Sequence, residues 1–398
     1  MDKDRNHTLK VVKVLFVVLF VLYSLWISIV FFSDQLIYAA QKPFWGDEIF
    51  GLNSSIRKVT YGQLFINGAS HQSSPAPLDY VFCKILDELR PVVGSFGLRE
   101  EVYYRLWANL ITSFSALFVV IMFVSKVIRK QQPFYISLLQ SLLLSFVPIT
   151  FFFSRHVYYY AAEIRPYAAW NAFWFLALAM SLLDNKKNLL LILSLTLLAF
   201  TSTASIYQIG VMLLATLIMD KFENVPLKSS IKKSLRIFTM PVAVSLYYCL
   251  RASQWNEKIS WEEWDQFMDI WIHYSSIVAF MSLCIVLCLL KKENKKYMIA
   301  PLSFLLLYLF GPVTFWITKW KGYFFSYRQY IYYDLANAVF SLTVIQCLPA
   351  YFKDKSNKLS IGIMCVVVLM TGVSIAFRPK SLKKLNNAMY NTYHLWNY

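Results

Sequence analysis

The chain has 398 residues, of which 58% are hydrophobic and only 15% are charged, whereas a soluble domain typically has about 45–50% apolar and about 25% charged residues. This apolar excess excludes a water-soluble enzyme, and an aromatic content of 18% excludes a disordered chain. The composition therefore indicates a polytopic membrane protein, and the net charge of +17 has to be explained by membrane topology before nucleic-acid binding is considered.

Apolar runs of about 20 residues, the length that crosses a bilayer, recur along the whole sequence. The segment Leu189–Met219 is too long for one crossing and short for two, so it is either a tight hairpin of two short helices or a re-entrant pair. Counted as two, it brings the total to about eleven transmembrane helices in an all-α bundle. The other predicted spans are Val11–Phe32, Leu106–Ile128, Phe134–Phe153, Pro166–Leu183, Leu235–Leu250, Ile272–Leu290, Met298–Thr318, Gln329–Pro349 and Leu359–Phe377.

Basic residues in the short loops predict the topology, because lysine and arginine mark the cytoplasmic side. With the N-terminus in the cytoplasm, the basic clusters that fall inside are Lys126–Lys130, Lys186–Lys187, Lys221–Arg236, Lys291–Lys296 and Lys353–Lys358. The basicity then serves topology and contact with lipid headgroups, so we expect membrane lipids and no nucleic acid as partners.

The sequence outside the spans is concentrated in one place. Residues 33–105 form a long predicted extracytoplasmic loop with eight acidic and seven basic residues, and long loops in compact folds are usually functional. We therefore predict one transmembrane domain over residues 1–377, with a catalytic loop at 33–105 that carries amphipathic helices. A short tail, 378–398, follows, and no soluble C-terminal domain is expected.

Neither the cysteines nor the acidic clusters predict a metal site. The six cysteines show no Cys-x-x-Cys pair and no Cys/His zinc spacing. Glu262, Glu263, Asp265 and Asp269 could gather a divalent cation, but their alternation with tryptophans favours an amphipathic helix on the outer surface. We expect no metal and no cofactor.

The sharpest chemical signal is the segment Phe44–Phe50, whose adjacent carboxylates Asp47 and Glu48 are flanked by aromatic residues close to the first predicted span. Such a pair is costly to desolvate unless it is used or paired. One of the two would be a general base whose pKa is tuned by its neighbour and by nearby cations. The alternative is the acidic start of an amphipathic helix, where carboxylates favour the helix dipole.

Other outer segments carry polar residues that could bind a substrate. His71 and Tyr80 flank a proline-rich stretch that enters a helix, although a lone histidine in a polar loop is most often a surface residue. Arginines suit phosphate, because a guanidinium binds two oxygens at once. The candidates in the later loops are Arg155, Glu163, Arg165 and Tyr167, followed by Lys319 and Arg328. For the loop with Arg155 and Arg165, the alternative is an aromatic belt with snorkelling arginines. For Lys319 and Arg328, it is ordinary contact with lipid headgroups. We predict that Glu100, Glu101 and Arg105 are interfacial anchors.

Taken in order, these motifs resemble those of a known family. The sequence has Trp-x-Asp-Glu in the first outer loop, then Pro-Leu-x-Tyr, then Glu-x-x-x-x-Arg entering the next span, then Glu-x-Arg-Pro-Tyr. The series resembles the bacterial dolichyl-phosphate-mannose protein mannosyltransferase-like branch of the GT-C glycosyltransferases, to which the lipid A aminoarabinose transferases are related, over about the first 220 residues. The matching residues are Trp45, Asp47 and Glu48; Pro77, Leu78 and Tyr80; Glu100 or Glu101 with Arg105; and Glu163, Arg165, Pro166 and Tyr167.

The resemblance implies an inverting glycosyltransferase of the bacterial inner or plasma membrane, with its active site on the extracytoplasmic side. Its donor would be a polyprenyl-phosphate sugar, and its acceptor a hydroxyl of a glycan, lipid or protein; a donor without a nucleotide diphosphate needs no metal. Asp47 would be the general base, and Glu48 would orient Asp47 or the acceptor. The donor phosphate would be bound by Arg328, Lys319, Arg155 and Arg165.

Two other functions remain open at this point. One is a ligase that moves a whole glycan from a polyprenyl diphosphate, with Arg155 and His156 as its polar groups; it would tolerate loss of the Asp47 carboxyl. The other is a non-enzymatic glycolipid flippase. A flippase predicts charged residues within the spans, whereas the predicted spans are nearly free of them.

Overall fold

The computed structural model describes residues 2–44, 46–68, 76–94, 97–129, 132–152, 154–183, 188–252, 261–320 and 332–352. Within these ranges the chain is helical and contains no strand. The helices are α1 (Asp2–Gln41), α2 (Gly46–Phe50), α3 (Tyr61–Asn67), α4 (Leu78–Val93), α5 (Glu100–Arg129), α6 (Phe134–Phe152), α7 (Arg155–Tyr160), α8 (Tyr167–Ser181), α9 (Asn188–Ala199), α10 (Ser205–Phe222), α11 (Leu227–Cys249), α12 (Trp261–His273), α13 (Ser276–Leu290), α14 (Ile299–Leu309), α15 (Gly311–Trp320) and α16 (Ala336–Tyr351). A π-helical turn over Gly51–Ile56 follows α2, and a 3-10 helix over Lys292–Tyr297 precedes α14.

The candidate membrane spans are fewer than the sequence predicted. Those long and apolar enough to cross alone are Val14–Gln41, Glu100–Arg129, Tyr135–Phe152 and Ser205–Phe222. The pairs α12–α13 and α14–α15 each qualify as one span with a bend, of 45° and 54° respectively. An all-helical fold with helices long and apolar enough to cross a membrane is thus confirmed for the described residues, which give four to six candidate spans against the predicted eleven or so. Leu359–Phe377 lies outside the described residues.

The difference in span number has a geometric reason. Helices α8, α9 and α16 have 15, 12 and 16 residues, which corresponds to about 18–24 Å of helix against a hydrocarbon core of about 30 Å. The prediction that these segments cross the membrane rested on their apolar composition alone. Their burial within the bundle accounts for the same composition, since nearly every residue of α8 and α16 is buried by neighbouring helices.

The first helix is longer than predicted. Its predicted end at Phe32 is wrong, because α1 continues to Gln41. Beyond Phe32, Ala39 packs into a small buried apolar cluster, and Asp34 accepts a hydrogen bond from the Tyr158 hydroxyl. Tertiary contacts thus extend the helix into the segment predicted as loop.

The segment Leu189–Met219 forms two helices, α9 and α10, joined at residues 200–204. Helix α9 packs between α8 and α11. The connection touches the first loop, because the Leu78 backbone N–H donates to the Phe200 carbonyl at 3.0 Å. Its polar residues therefore lie beside the start of α4.

Helices α1 and α5 run antiparallel. Asn109 donates to the Phe32 carbonyl and Arg105 donates to the Ala39 carbonyl, each at 3.0 Å. Because residue numbers rise along one helix as they fall along the other, the C-terminal end of α1 lies beside the N-terminal end of α5. This end of the bundle carries the site described below.

Described residues of two predicted basic clusters, Lys126–Lys130 and Lys291–Lys296, meet at the opposite end. Lys126, near the end of α5, donates to the Leu182 carbonyl at 3.4 Å and lies 5.0 Å from the centroid of the Tyr297 ring. Tyr297 ends the 3-10 helix of the Lys291–Lys296 cluster. The end of α5 and this 3-10 helix therefore lie at the same end of the bundle.

The two bent helix pairs are joined at their bends. The Trp271 indole N–H donates to the Tyr308 carbonyl at 3.0 Å, and the Tyr308 hydroxyl donates to the Trp271 carbonyl at 2.7 Å. The two rings stack with centroids 5.2 Å apart. Gly311, the first residue of α15, lies against Trp271 and Tyr333, so the bend between α14 and α15 is closely packed.

We expect Gly311→Ala to destabilise the protein by about 1–3 kcal/mol, the usual cost of overpacking. A Cβ at this position would lie 2.6 Å from the Tyr333 hydroxyl oxygen and 3.3 Å from Trp271, so an aromatic ring or α15 itself would have to move. The matched control is Gly210→Ala in α10, where a Cβ meets nothing within 4 Å and alanine favours the helix by about 1 kcal/mol. Thermal unfolding in detergent micelles separates them, and equal losses at both positions would contradict the tight bend.

Candidate functional site

Glu48 and Arg105 form a buried ion pair at the α1–α5 end of the bundle. Arg105 Nη2 lies 2.6 Å from Glu48 Oε2, and Arg105 Nε donates to Glu48 Oε1 at 3.2 Å, so the guanidinium binds both carboxylate oxygens. Glu48 Oε1 also accepts the backbone N–H of Ile164 at 2.7 Å. Two-point pairing of this kind is stronger and more directional than a single contact. It joins α2, α5 and the segment before α8.

The other Arg105 N–H groups bind the carbonyls at the end of α1. Nη1 donates to Ala39 at 3.0 Å and to Lys42, and Nη2 donates to Pro43 at 3.0 Å. The last carbonyls of a helix have no intrahelical partner, and a positive charge is favourable there. Arg105 is therefore a buried connector of three chain segments and not the interfacial anchor that the sequence predicted.

Lys42 and Glu163 form a second buried ion pair next to the first. Lys42 Nζ also lies 3.8 Å from the centroid of the Tyr159 ring, within the range of a cation–π contact. Burial lowers the pKa of the Lys42 ammonium, and the negative charges of Glu163 and Glu48 oppose this change. The Glu-x-Arg-Pro-Tyr segment is thus tied to residues 42–48 at two successive positions, Glu163 and Ile164.

Asp79, in the first turn of α4, is a buried carboxyl that the sequence prediction missed. The residue is 1% exposed, and its Oδ2 has no hydrogen-bond partner among the described residues. Burial raises the pKa of Asp79 to about 7, the positive charge of Arg165 opposes this rise, and the negative charge of Glu48 adds to it. A carboxyl with such a pKa can take up or release a proton near neutral pH.

We expect Asp79→Asn to stabilise the protein at alkaline pH. The folded-state pKa of about 7 lies above the ordinary value of 3.8, so stability falls as the pH rises from about 4 through about 7. At about pH 8 the loss amounts to roughly 4 kcal/mol, since one pKa unit corresponds to about 1.36 kcal/mol. Unfolding curves between about pH 5 and pH 9 should diverge, with the amide variant more stable above pH 7. A variant that loses stability at pH 8 would contradict this account of the carboxyl.

The structure brings five of the predicted site residues together. Glu48 and Glu163 lie in the two ion pairs, and electrostatic interactions connect Tyr80 with both Arg165 and Tyr167. Burial raises the pKa of the Tyr80 hydroxyl. We call the following residues the charged cluster: Lys42, Glu48, Asp79, Arg105, Glu163 and Arg165.

The other predicted site residues lie partly or wholly outside the described residues. Asp47 lies on α2 directly before Glu48, Arg155 begins α7, and Lys319 lies in the last turn of α15. The structure describes the backbone but not the side chain of each of these three. His71 and Arg328 lie outside the described residues altogether. The roles assigned to these residues stay predictions.

A second polar centre lies between α7, the α12–α13 bend and the start of α16. The His156 backbone N–H donates to Asp334 Oδ2 at 2.7 Å, and His156 Nδ1 lies 3.1 Å from the same oxygen. Tyr274, in the break between α12 and α13, donates its hydroxyl to Asp334 Oδ1. His156 and Tyr274 thus bind the two oxygens of the Asp334 carboxyl group, one each. We call His156, Tyr274 and Asp334 the histidine centre.

Tyrosine rings connect the two polar centres. The His156 ring stacks on the Tyr160 ring with centroids 6.4 Å apart, and Tyr160 lies 4.6 Å from the Tyr167 ring. Tyr167 in turn interacts with Tyr80 beside Asp79. The charged cluster and the histidine centre therefore belong to one continuous polar and aromatic region.

Several residues of this region could not be selected from the sequence. Asp334 carried a signal, because it is the one acidic residue inside the predicted span Gln329–Pro349 and an ionisable residue in a span is a functional hypothesis by default. Asp79 stands inside the Pro-Leu-x-Tyr motif at the variable position. Lys42 and Tyr274 carry no signal, since only tertiary contacts give them partners.

The region contains carboxylates that could take a proton and cations that could face an anion, largely removed from water. Within the described ranges, no group of three histidine, cysteine, aspartate or glutamate side chains is arranged to hold a metal ion. Comparison of the chain with protein-family models, curated proteins and solved structures finds no match.

Proposed function

We propose that the chain is an inverting, GT-C-type glycosyltransferase that moves a monosaccharide from a polyprenyl-phosphate donor to a hydroxyl of an extracytoplasmic glycan, glycolipid or protein. The proposal includes a bundle of transmembrane helices with a long extracytoplasmic first loop. It places the protein in the bacterial inner or plasma membrane, with the N-terminus in the cytoplasm.

The observation that supports the proposal most is the convergence of motifs far apart in the sequence. Glu48 follows Asp47 in the Trp-x-Asp-Glu motif, Arg105 ends the Glu-x-x-x-x-Arg motif, and Ile164 lies within Glu-x-Arg-Pro-Tyr. One network of hydrogen bonds joins the three. Asp79, from the Pro-Leu-x-Tyr segment, interacts electrostatically with Glu48 of this network and with Arg165, the residue after Ile164. Four segments that carry the family resemblance thus build one site.

In the proposed reaction, Asp47 takes the proton of the acceptor hydroxyl while the acceptor oxygen attacks the anomeric carbon. Glu48 is a positioning residue, because both of its oxygens are bound by Arg105 and Ile164 and their pairing fixes the short helix that carries Asp47. Such assistance by a base contributes typically about 10²–10⁴-fold to the rate.

The bond between the anomeric carbon and the phosphate oxygen then breaks. The leaving polyprenyl phosphate needs cations rather than an obligatory metal, because a phosphate monoester has a second pKa of about 6 and leaves readily near neutral pH. Fixed positive groups stabilise its growing charge most where water is excluded. Among the residues whose side chains the structure describes, we propose Arg165 as a cation that stabilises this phosphate. Arg155, Lys319 and Arg328 are proposed to complete the phosphate site.

The test is a transfer assay with purified protein in detergent and two donor series. One series contains polyprenyl monophosphates with single sugars, and the other contains polyprenyl diphosphates with oligosaccharides; extracted membrane glycans serve as acceptors. We expect turnover to polyprenyl phosphate from the monophosphate series only. Turnover of the diphosphate series alone would support the ligase. Movement of labelled glycolipid across liposome membranes without turnover would support the flippase.

A further inference from the structure

We propose that His156 binds the phosphate of the lipid donor and gives it a proton as it leaves, while Asp334 and Tyr274 hold the imidazole in place. The inference rests on the proposed function, because it names the phosphate contact of that reaction. It assigns a role to the histidine centre, which the proton-accepting step at Asp47 does not use.

The geometry engages one ring nitrogen of His156, Nδ1, and leaves the other, Nε2, available to a ligand. His156 Nδ1 faces Asp334 Oδ2 at 3.1 Å, and the backbone N–H of His156 binds the same oxygen. The two ring nitrogens point in different directions, so Nε2 points away from the carboxylate. Among the described residues Nε2 has no hydrogen-bond partner, and the side chain is 16% exposed. The carboxyl group of Asp334 behind Nδ1 fixes the orientation of the ring, so that Nε2 can face a ligand.

The charged and aromatic groups that face His156 come from three neighbouring elements. From α16 the facing group is Asp334, and from the α12–α13 break it is the Tyr274 hydroxyl, 3.4 Å from Nδ1. From α7 itself the Tyr160 ring stacks on the imidazole, and the exposed His273 ring touches only the edge of Tyr274. With Asp334 ionised, a protonated His156 forms a neutral pair that can still donate one N–H to an anion.

Phosphate fits this position better than another partner for two reasons. Lys42 and Arg105 of the charged cluster already face the carboxylates of Glu163 and Glu48, so His156 would act on the phosphate beside Arg165. Helices α13, α15 and α16 also begin at the histidine centre or at the adjoining Trp271–Tyr308 bend, and their N-terminal ends favour negative charge.

The prenyl chain has an apolar surface beside the same bend. Large apolar side chains are exposed on the last turn of α14 and along α15: Leu309, Phe310, Val313, Trp316 and Ile317. A lipid donor could therefore keep its tail against α15 while its phosphate reaches the bend. This arrangement places the phosphate at the depth of the helix break, where protein and not lipid surrounds the irregular backbone.

The acceptor O–H proton passes to Asp47, and the acceptor oxygen forms the new bond to the anomeric carbon. The bond from that carbon to the phosphate oxygen breaks, and its electron pair stays on the phosphate, which takes the proton from His156 Nε2. The neutral imidazole then regains a proton from water, and Asp47 releases one.

The test measures binding of farnesyl phosphate to the purified full chain by ³¹P NMR titration in detergent. We expect His156→Gln and Asp334→Asn each to weaken binding roughly ten- to hundredfold, the value of one hydrogen bond to a charged group. The matched control, His273→Gln, changes an exposed histidine beside Tyr274 and should leave the affinity unchanged. Binding that survives His156→Gln would overturn the inference while leaving the proposed donor class intact.

Failure of the proposed function gives a different result. If the wild-type chain itself does not bind farnesyl phosphate, the lipid-phosphate donor is wrong, whatever the variants do. A second measurement uses only the wild-type chain, so it tests the inference even if the variants do not fold. With ¹⁵N-labelled histidine, addition of farnesyl phosphate should shift the His156 Nε2 resonance, and an unchanged resonance in the presence of bound farnesyl phosphate would overturn the role of His156.

Discussion

Asp47→Asn is expected to slow sugar transfer by about 10²–10⁴-fold, the usual contribution of a general base, with little effect on folding. The amide has nearly the size of the carboxyl but cannot take the acceptor proton. The neighbouring residue, Glu48, connects α2 to Arg105 and Ile164, and the substitution leaves Glu48 unchanged. The loss should therefore appear in the turnover number, while the melting temperature of the purified protein stays within about a degree or two of the wild type.

The control for this substitution is Asp265→Asn on α12, an exposed acidic residue outside both polar centres. It removes the same charge and should leave turnover unchanged. Full activity of Asp47→Asn would contradict the assignment of the base and favour the ligase, which does not depend on this carboxyl. Equal losses in Asp47→Asn and Asp265→Asn would indicate an effect of net charge instead.

Breaking the Glu48–Arg105 pair is expected to be the most destabilising single change. Arg105→Gln leaves the Glu48 carboxylate in a site where both side chains are at most 1% exposed, and removal of one partner of a buried pair typically costs about 3–5 kcal/mol. It also leaves the carbonyls of Ala39, Lys42 and Pro43 without their donor. Arg105→Lys should recover only part of the loss, since an ammonium cannot reproduce the two-point geometry.

The matched control is Arg99→Gln, just before α5. Arg99 pairs with Glu101 at 3.4 Å but its side chain is 64% exposed, so the substitution should cost at most about 1 kcal/mol. Reversible unfolding of the purified variants in mixed micelles measures both. If Arg105→Gln unfolds as Arg99→Gln does, the buried pair is not the connection between α1, α2 and α5 that we describe.

The class of the fold could be predicted from composition, because runs of apolar residues identify membrane helices without any knowledge of their neighbours. The number of spans could not. Segments such as Tyr167–Ser181 and Ala336–Tyr351 are apolar because other helices bury them, and composition does not distinguish burial in protein from burial in lipid. The extension of α1 beyond Phe32 could not be predicted either. It depends on the packing of Ala39 and on the hydrogen bond from the Tyr158 hydroxyl to Asp34, and both involve residues distant in sequence.

The candidate site was predictable where short motifs concentrate charge. Glu48, Glu163 and Arg165 were selected in this way, and the structure places them in one cluster. Partners were not predictable, because Arg105 satisfies Glu48 across 57 residues and Asp334 holds His156 across 178 residues. The sequence shows that Asp334 is a single charged residue in an apolar stretch, but it does not show that His156 and Tyr274 bind its carboxyl group.

The most direct test of the central claim is mass spectrometry of lipids and glycans from cells that carry either the wild-type chain or Asp47→Asn. The account predicts that the variant cells accumulate a polyprenyl phosphate with one sugar and contain an acceptor lighter by one monosaccharide. An unchanged lipid and glycan profile in cells that express the folded variant at the wild-type level would contradict the claim that this site transfers a sugar from a lipid phosphate.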